Sequence, residues 1–147
     1  MPKPVTPLVG CDAFVLNEQK QVLLIKRVDS DLWALPGGFH DLGETPAKCA
    51  SRECLEETGY NIEVIRLLGV FSSNCYEYKY IPWKNEEYCH VLLQGKLISG
   101  SETTSEETRE VGWFSYDELP ELYDGHKIRV KFGFEANMCA NFTPYFE

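Results

Sequence analysis

Gly38-Phe39-His40-Asp41-Leu42-Gly43-Glu44-Thr45-Pro46-Ala47-Lys48-Cys49-Ala50-Ser51-Arg52-Glu53-Cys54-Leu55-Glu56-Glu57-Thr58-Gly59-Tyr60 carries a short helix with both ends marked. Thr45 suits the N-cap, Pro46 the first helical position and Gly59 the C-terminal cap, which predicts a helix over about 46 to 58. At about 100° per residue, Glu53, Glu56 and Glu57 fall within an arc of roughly 100°. Like charges at that spacing cost roughly 0.2 to 0.5 kcal/mol, and these crowd the negative end of the helix dipole. A divalent cation against that face removes the conflict, because carboxylate oxygens are the ligands that hard cations prefer. The bland alternative is a solvated acidic face. On the same wheel Ala47, Ala50 and Cys54 form a stripe of small side chains that lets the backbone approach a sheet.

Just upstream, Trp33-Ala34-Leu35-Pro36-Gly37-Gly38-Phe39 reads as an apolar run broken by a Pro-Gly-Gly turn, which brings backbone carbonyls near the helix start. The flanks read as mixed α/β. Leu8 to Leu16 and Gln21 to Val28 surround the polar Asn17-Glu18-Gln19-Lys20 and predict a hairpin. Asn61 to Phe71, Tyr88 to Leu97 and Val111 to Phe114 are further strand candidates. Ser115-Tyr116-Asp117-Glu118 has capping-box spacing and predicts a second helix start. The tail from His126 to Cys139 predicts a third helix, with Ile128 and Phe132 on one face and Gly133 as the weakening residue.

Gly38, Glu44, Arg52, Glu53, Glu56, Glu57 and Gly59, in the pattern G-x5-E-x7-R-E-U-x-E-E-x-G-U with U a bulky apolar residue, resemble the Nudix box of the Nudix hydrolases. Every fixed position is filled; Cys54 and Tyr60 stand at U positions where Ile, Leu or Val is commoner. Val111-Gly112-Trp113-Phe114 followed by Asp117-Glu118-Leu119-Pro120 is also similar to this family. The resemblance implies an α/β/α sandwich around a mixed sheet and metal-dependent hydrolysis of a phosphoanhydride in a nucleoside diphosphate linked to another moiety. It also implies roles. Glu53, Glu56 and Glu57 would be ligands of Mg²⁺ or Mn²⁺, Gly38 or Gly37 would lend a backbone oxygen, and Glu53 would activate water. Arg52 and Glu44 would orient the cluster through an ion pair. In some members the base lies outside the box, and Glu102, Glu106, Glu107 and Glu110 are the candidates here.

Substrate contacts are less sharply marked. Tyr76, Tyr78, Tyr80 and Trp83 offer aromatic planes for a nucleobase, or equally a core. Tyr76 and Tyr78 fall where the resemblance places a dinucleoside polyphosphate marker, whereas Cys75 stands where the ADP-ribose marker has proline. The overall layout still resembles the small ADP-ribose pyrophosphatase-like branch, so ADP-ribose and related derivatives come first, and nucleoside triphosphates or dinucleoside polyphosphates second. A non-catalytic nucleotide sensor and an RNA-end pyrophosphohydrolase are the readings from other classes.

Composition limits the partners. The 147 residues fit one domain, 1–147, without a linker or repeat. A formal net charge of -9 argues against nucleic acid, whose binding rests on clustered lysine and arginine. No apolar run approaches the length of a membrane span, and Met1-Pro2-Lys3-Pro4-Val5-Thr6 lacks the apolar core of a secretion signal, so a cytoplasmic protein is expected. Six scattered cysteines without C-x-x-C pairs read as reduced thiols, and the three histidines lack zinc-ligand spacing. The family resemblance admits a homodimer, although no heptad marks one.

Overall fold

A computed structural model describes residues 2, 3, 5–75 and 87–147. Its strands are β1 (Leu8–Val15), β2 (Val22–Arg27), β3 (Trp33–Ala34), β4 (Gly37–Phe39), β5 (Tyr60–Ser72), β6 (Tyr88–Gly100) and β7 (Thr108–Phe114). The helices are α1 (Pro46–Thr58) and α2 (His126–Met138). A four-stranded sheet has the order β4-β1-β6-β5 and a three-stranded sheet the order β3-β2-β7. The first sheet is mixed, since β1 runs parallel to β6 and antiparallel to β4. The chain is an α/β fold, as expected.

Side-chain alternation along β1 divides the core between two faces. Cys11, Ala13 and Val15 join Cys49, Ala50 and Cys54 of α1, while Phe14 joins Val130 and Phe134 of α2. The small-residue stripe therefore packs as expected, except that Cys49 is fully buried and Ala47 only half-buried. Among the described residues Cys11, Cys49, Cys54, Cys89 and Cys139 are free thiols, and burial pushes the Cys54 thiol up to about 11.

Three local expectations change. The Asn17–Lys20 turn forms, with Gln21 N–H donated to Asn17 Oδ1 at 2.9 Å, but beyond the single Leu16↔Val22 bridge the two strands part into different sheets. Pro36-Gly37-Gly38 is not a turn. It is the crossing from β3 in one sheet to β4 in the other, and a β-carbon on Gly37 would run into Asp12 Oδ1. The helix expected at Ser115 is one 3-10 turn, Tyr116–Glu118, with no side-chain cap bond; Leu119 is already extended and Pro120 cannot continue a helix. By contrast α2 runs straight through Gly133, where a β-carbon would collide with the Phe14 ring, so close packing explains that glycine.

Candidate active site

The caps hold α1 at the angle that exposes its acidic side. Lys48 N–H is donated to Thr45 Oγ1 at 3.2 Å, and Gly59 closes the helix in the left-handed conformation at φ 83°, its N–H on Leu55 O. The small face goes to the sheet and the carboxylates turn toward β4.

Glu57 is 6% exposed and accepts the Gly37 N–H at 2.8 Å. Burial raises its carboxyl well above the ordinary range, against the pull of that bond, and the negative charges of Glu53 and Glu107 add to the rise. Glu53 lies flat over Gly38, where a β-carbon would come within 2.5 Å of its carboxyl carbon. Burial raises Glu53 too, although Arg52 opposes it. Glu56 projects into solvent, its side chain 57% exposed.

Arg52 ties these groups together. It grips Glu44 through Nε at 3.0 Å and Nη2 at 2.8 Å, a bidentate geometry in which both bonds are charge-assisted. Its Nη1 reaches Glu53 at 2.9 Å and Glu56 at 3.3 Å, and Nη2 reaches Asp41 at 3.2 Å. Arg52 and the Asp41 N–H hold the Glu44 carboxyl down at about 2. One guanidinium thus serves four carboxylates, which leaves the cluster strongly negative.

The backbone also turns an oxygen to this side. Ala13 donates to Pro36 O and His40 to Val9 O, so along this antiparallel pair Gly38 has its polar groups turned to β1 and Gly37 has its own turned outward, toward Glu57. Of the two glycines, the carbonyl on the acidic side belongs to Gly37 rather than to Gly38.

Glu53, Glu56 and Glu57 line a cavity of about 310 Å³ together with Ser105, Glu106 and Glu107. Among the loop acids the structure separates Glu106 and Glu107, which face this cavity, from Glu110, which pairs with Lys26 at 3.1 Å, and from Glu102, which lines no part of it. No ready-made cage of three ligands exists among the described residues, and Arg52 Nη1 takes one oxygen each of Glu53 and Glu56. The donor set is nevertheless hard oxygen throughout, with a buried carboxyl, Glu57, whose charged form burial and the neighbouring acids disfavour, and such a set suits a divalent cation of the magnesium type.

Glu53, Glu57, Glu106 and Glu107 also line a cleft of about 730 Å³ that reaches Asp12, His90, His126 and Arg129. The sequence reading missed these residues. The signal was present in Asp12, which interrupts the apolar run Leu8–Val15, and in Arg129, which sits between Ile128 and Val130 on α2. Tyr76 and Tyr78 lie outside the described residues.

The NUDIX domain family matches residues 6–133. The chain belongs to the Nudix family. Among relatives of this Nudix chain, a Bacillus subtilis protein provisionally named as an 8-oxo-dGTP diphosphatase is 39% identical over 112 residues, 76% of this chain and 68% of that protein. The ADP-ribose pyrophosphatase of Methanocaldococcus jannaschii is 32% identical over 130 residues, 85% of this chain and 72% of that protein. The chain spans 54% of the length of YjhB, a further Bacillus subtilis relative that is 34% identical over 117 residues. The crystal structure of an ADP-ribose pyrophosphatase from Streptococcus suis superposes with a TM-score of 0.80 at 26% identity, covering 94% of this Nudix chain and 97% of the other. Among the described residues, no helix of this Nudix protein is long and apolar enough to cross a membrane.

Proposed function

We propose that this chain is a metal-dependent pyrophosphohydrolase whose 147 residues act as one unit on a nucleoside diphosphate linked to another moiety, with ADP-ribose the first substrate to try. The observation that carries the reading is the cavity where Glu53, Glu56, Glu57, Glu106 and Glu107 converge, next to a cleft large enough for a nucleotide. The names of the Methanocaldococcus jannaschii and Streptococcus suis proteins support ADP-ribose over other derivatives.

Glu56, Glu57 and the Gly37 carbonyl are the groups that would hold Mg²⁺ or Mn²⁺, with Glu53 beside them. Such an ion, when bound, screens the diphosphate and lowers the pKa of a bound water. Glu53 takes the proton from the attacking water, a task that suits a carboxyl raised by burial. Glu106 and Glu107 are the competing bases, on the opposite wall of the same cavity. Arg52 and Glu44 touch no reacting atom; they fix the orientation of Glu53 and Glu56.

Phosphate and nucleotide release from ADP-ribose, NADH, CDP-alcohols, dinucleoside polyphosphates and nucleoside triphosphates, with Mg²⁺, with Mn²⁺ and with chelator, tests the proposal. Metal-dependent turnover of a nucleoside diphosphate derivative is expected. The relative provisionally named for 8-oxo-dGTP makes preferential cleavage of triphosphates the second reading. Tight binding of a panel member with no turnover anywhere would make the chain a sensor instead.

A further inference from the structure

Beyond the carboxylates, the 730 Å³ cleft has a polar floor and a ring-lined wall that the hydrolytic chemistry does not use. On the floor Arg129 Nε lies 2.9 Å from Asp12 Oδ2, with the two side chains only 1% and 7% exposed. Arg129 Nη1 is closed off from solvent and has no hydrogen-bond partner in the protein. A buried guanidinium N–H left in that state is costly, and a group that enters the cleft with an acceptor atom relieves it. His126 adds a second donor. Its Nδ1 accepts the Leu35 N–H at 3.1 Å, which puts the ring proton on Nε2.

The wall is flat. The rings of Phe39, Tyr88 and His90 lie nearly parallel, with centroids 6.0 and 5.8 Å apart and tilts of 17° and 18°. Phe39 stays 51% exposed. Gly10 sits between Phe39 and His90 in the register, and without a side chain it lets the His90 ring lie close over the sheet, where a β-carbon would come within 3.2 Å of Nδ1. Phe39 and Asp12 share a face, since Phe39 pairs with Gly10 two residues before Asp12. Such diagonal neighbours lie roughly 7–8 Å apart, about the span of a purine.

Charge decides which part of a ligand belongs there. Every arginine lining the cleft already has a carboxylate: Arg27 has Asp29, Arg52 has Glu44 and Glu53, and Arg129 has Asp12. Among the described residues lining the cleft, no arginine is left without a carboxylate to meet a further phosphate. An uncharged group with hydrogen-bonding edges and a planar face would be satisfied on both counts.

We propose that Phe39 and the Asp12–Arg129 pair form the nucleobase subsite, the base stacking on the exposed face of Phe39 and offering a ring-edge acceptor to Arg129. This rests on the nucleoside diphosphate reading given above and specifies it: the part of the substrate on this side of the diphosphate is the base, and no third phosphate extends into the floor.

The test is calorimetric titration of the full chain, in chelator, with adenosine, guanosine, cytidine, uridine and inorganic pyrophosphate. One nucleoside is expected to bind without metal, and pyrophosphate is not. Phe39→Ala and Arg129→Lys should each weaken that nucleoside by about tenfold or more, with Glu56→Gln leaving it unchanged. Arg129→Lys keeps a positive charge against Asp12. Should that variant misfold, Phe39→Ala, at an exposed position, carries the test alone. No metal-free nucleoside binding, an affinity unmoved by the variants, or pyrophosphate binding tighter than any nucleoside overturns the subsite. Nucleoside binding that responds to the variants without turnover of any diphosphate removes the hydrolase and leaves the subsite. Turnover whose KM ignores both variants does the reverse.

Discussion

Helices α1 and α2 have the same length and cover opposite faces of one sheet, but different forces keep them helical. α1 has a side-chain N-cap, proline at its start and a left-handed glycine at its end, and it offers the sheet only small residues. α2 starts at Gly125 without a side-chain cap, ends without a glycine and contains Gly133. It is held instead by packing, with Phe134 edge-on to Phe14 at 5.4 Å and to Tyr116 at 4.9 Å. Local signals fix the first helix, which frees its outer side for charges that do nothing for stability. Tertiary contact fixes the second, which leaves its inner side no freedom at all.

The largest expected effect separates chemistry from stability on α1. Glu56→Gln with Glu57→Gln should cut metal-dependent turnover by more than about 100-fold, beyond what outer groups around a metal typically cost. The thermal midpoint in chelator should stay level or rise, because the change removes a buried charge that the fold disfavours. A sharp fall in that midpoint would mean the acids are structural after all. Next comes Arg52→Ala, expected to lower activity about 10- to 100-fold by releasing Glu53 and Glu56, with folding retained. Unchanged kinetics would remove Arg52 from the site.

On α2 the balance inverts. Gly133→Ala should cost about 1–3 kcal/mol by forcing a methyl into the Phe14 ring, reduced by the roughly 1 kcal/mol that alanine gains in a helix. Chemical denaturation measures it, and the protein that remains folded should turn over normally. Stabilisation would show that the seam is loose.

A smaller effect separates the faces by pH. Burial keeps the His126 pKa well below the ordinary 6.5 and brings His90 down to about 3. The unfolded chain therefore binds more protons below pH 6.5, so the stability these neutral rings allow is present above 6.5 and drains as pH falls through it. The raised carboxyls of Asp12 and Glu57 push the opposite way, so only a difference isolates the ring. Relative to the wild type, His126→Asn should reduce the loss of stability between pH 6.5 and 5 by up to about 2 kcal/mol, read from unfolding midpoints. Identical pH profiles would mean that the His126 ring titrates alike in the folded and unfolded chain.

The same contrast explains what could be read in advance. α1 was legible to the residue, because Thr45, Pro46 and Gly59 act within a turn of where they sit, and the glutamates follow from helical spacing alone. The strands were legible as segments but not as partners. Nothing near Asn17–Lys20 states that β1 will take β6 and β4 while β2 takes β7 and β3. Ser115 to Glu118 misled because a capping pattern cannot extend a helix past Pro120. Gly133 misled in the other direction, since the ring that requires it belongs to the distant Phe14. Asp12 and Arg129 meet only when the whole chain has folded, so each alone looked like an isolated polar residue in an apolar run.

β1 alternates between two tasks. Cys11, Ala13 and Val15 support the helix that bears the carboxylates, while Gly10 and Asp12 shape the cleft beyond. For an evolving or designed lineage, the proposed subsite would make catalytic power and substrate choice separately editable. Under the proposed subsite, changes at 10 and 12 would rework the cleft wall while the β1 side chains that seat α1 stay as they are. The length of the strand has no such latitude. One inserted residue would flip the side chains beyond it to the opposite face, and both inheritances would be lost together.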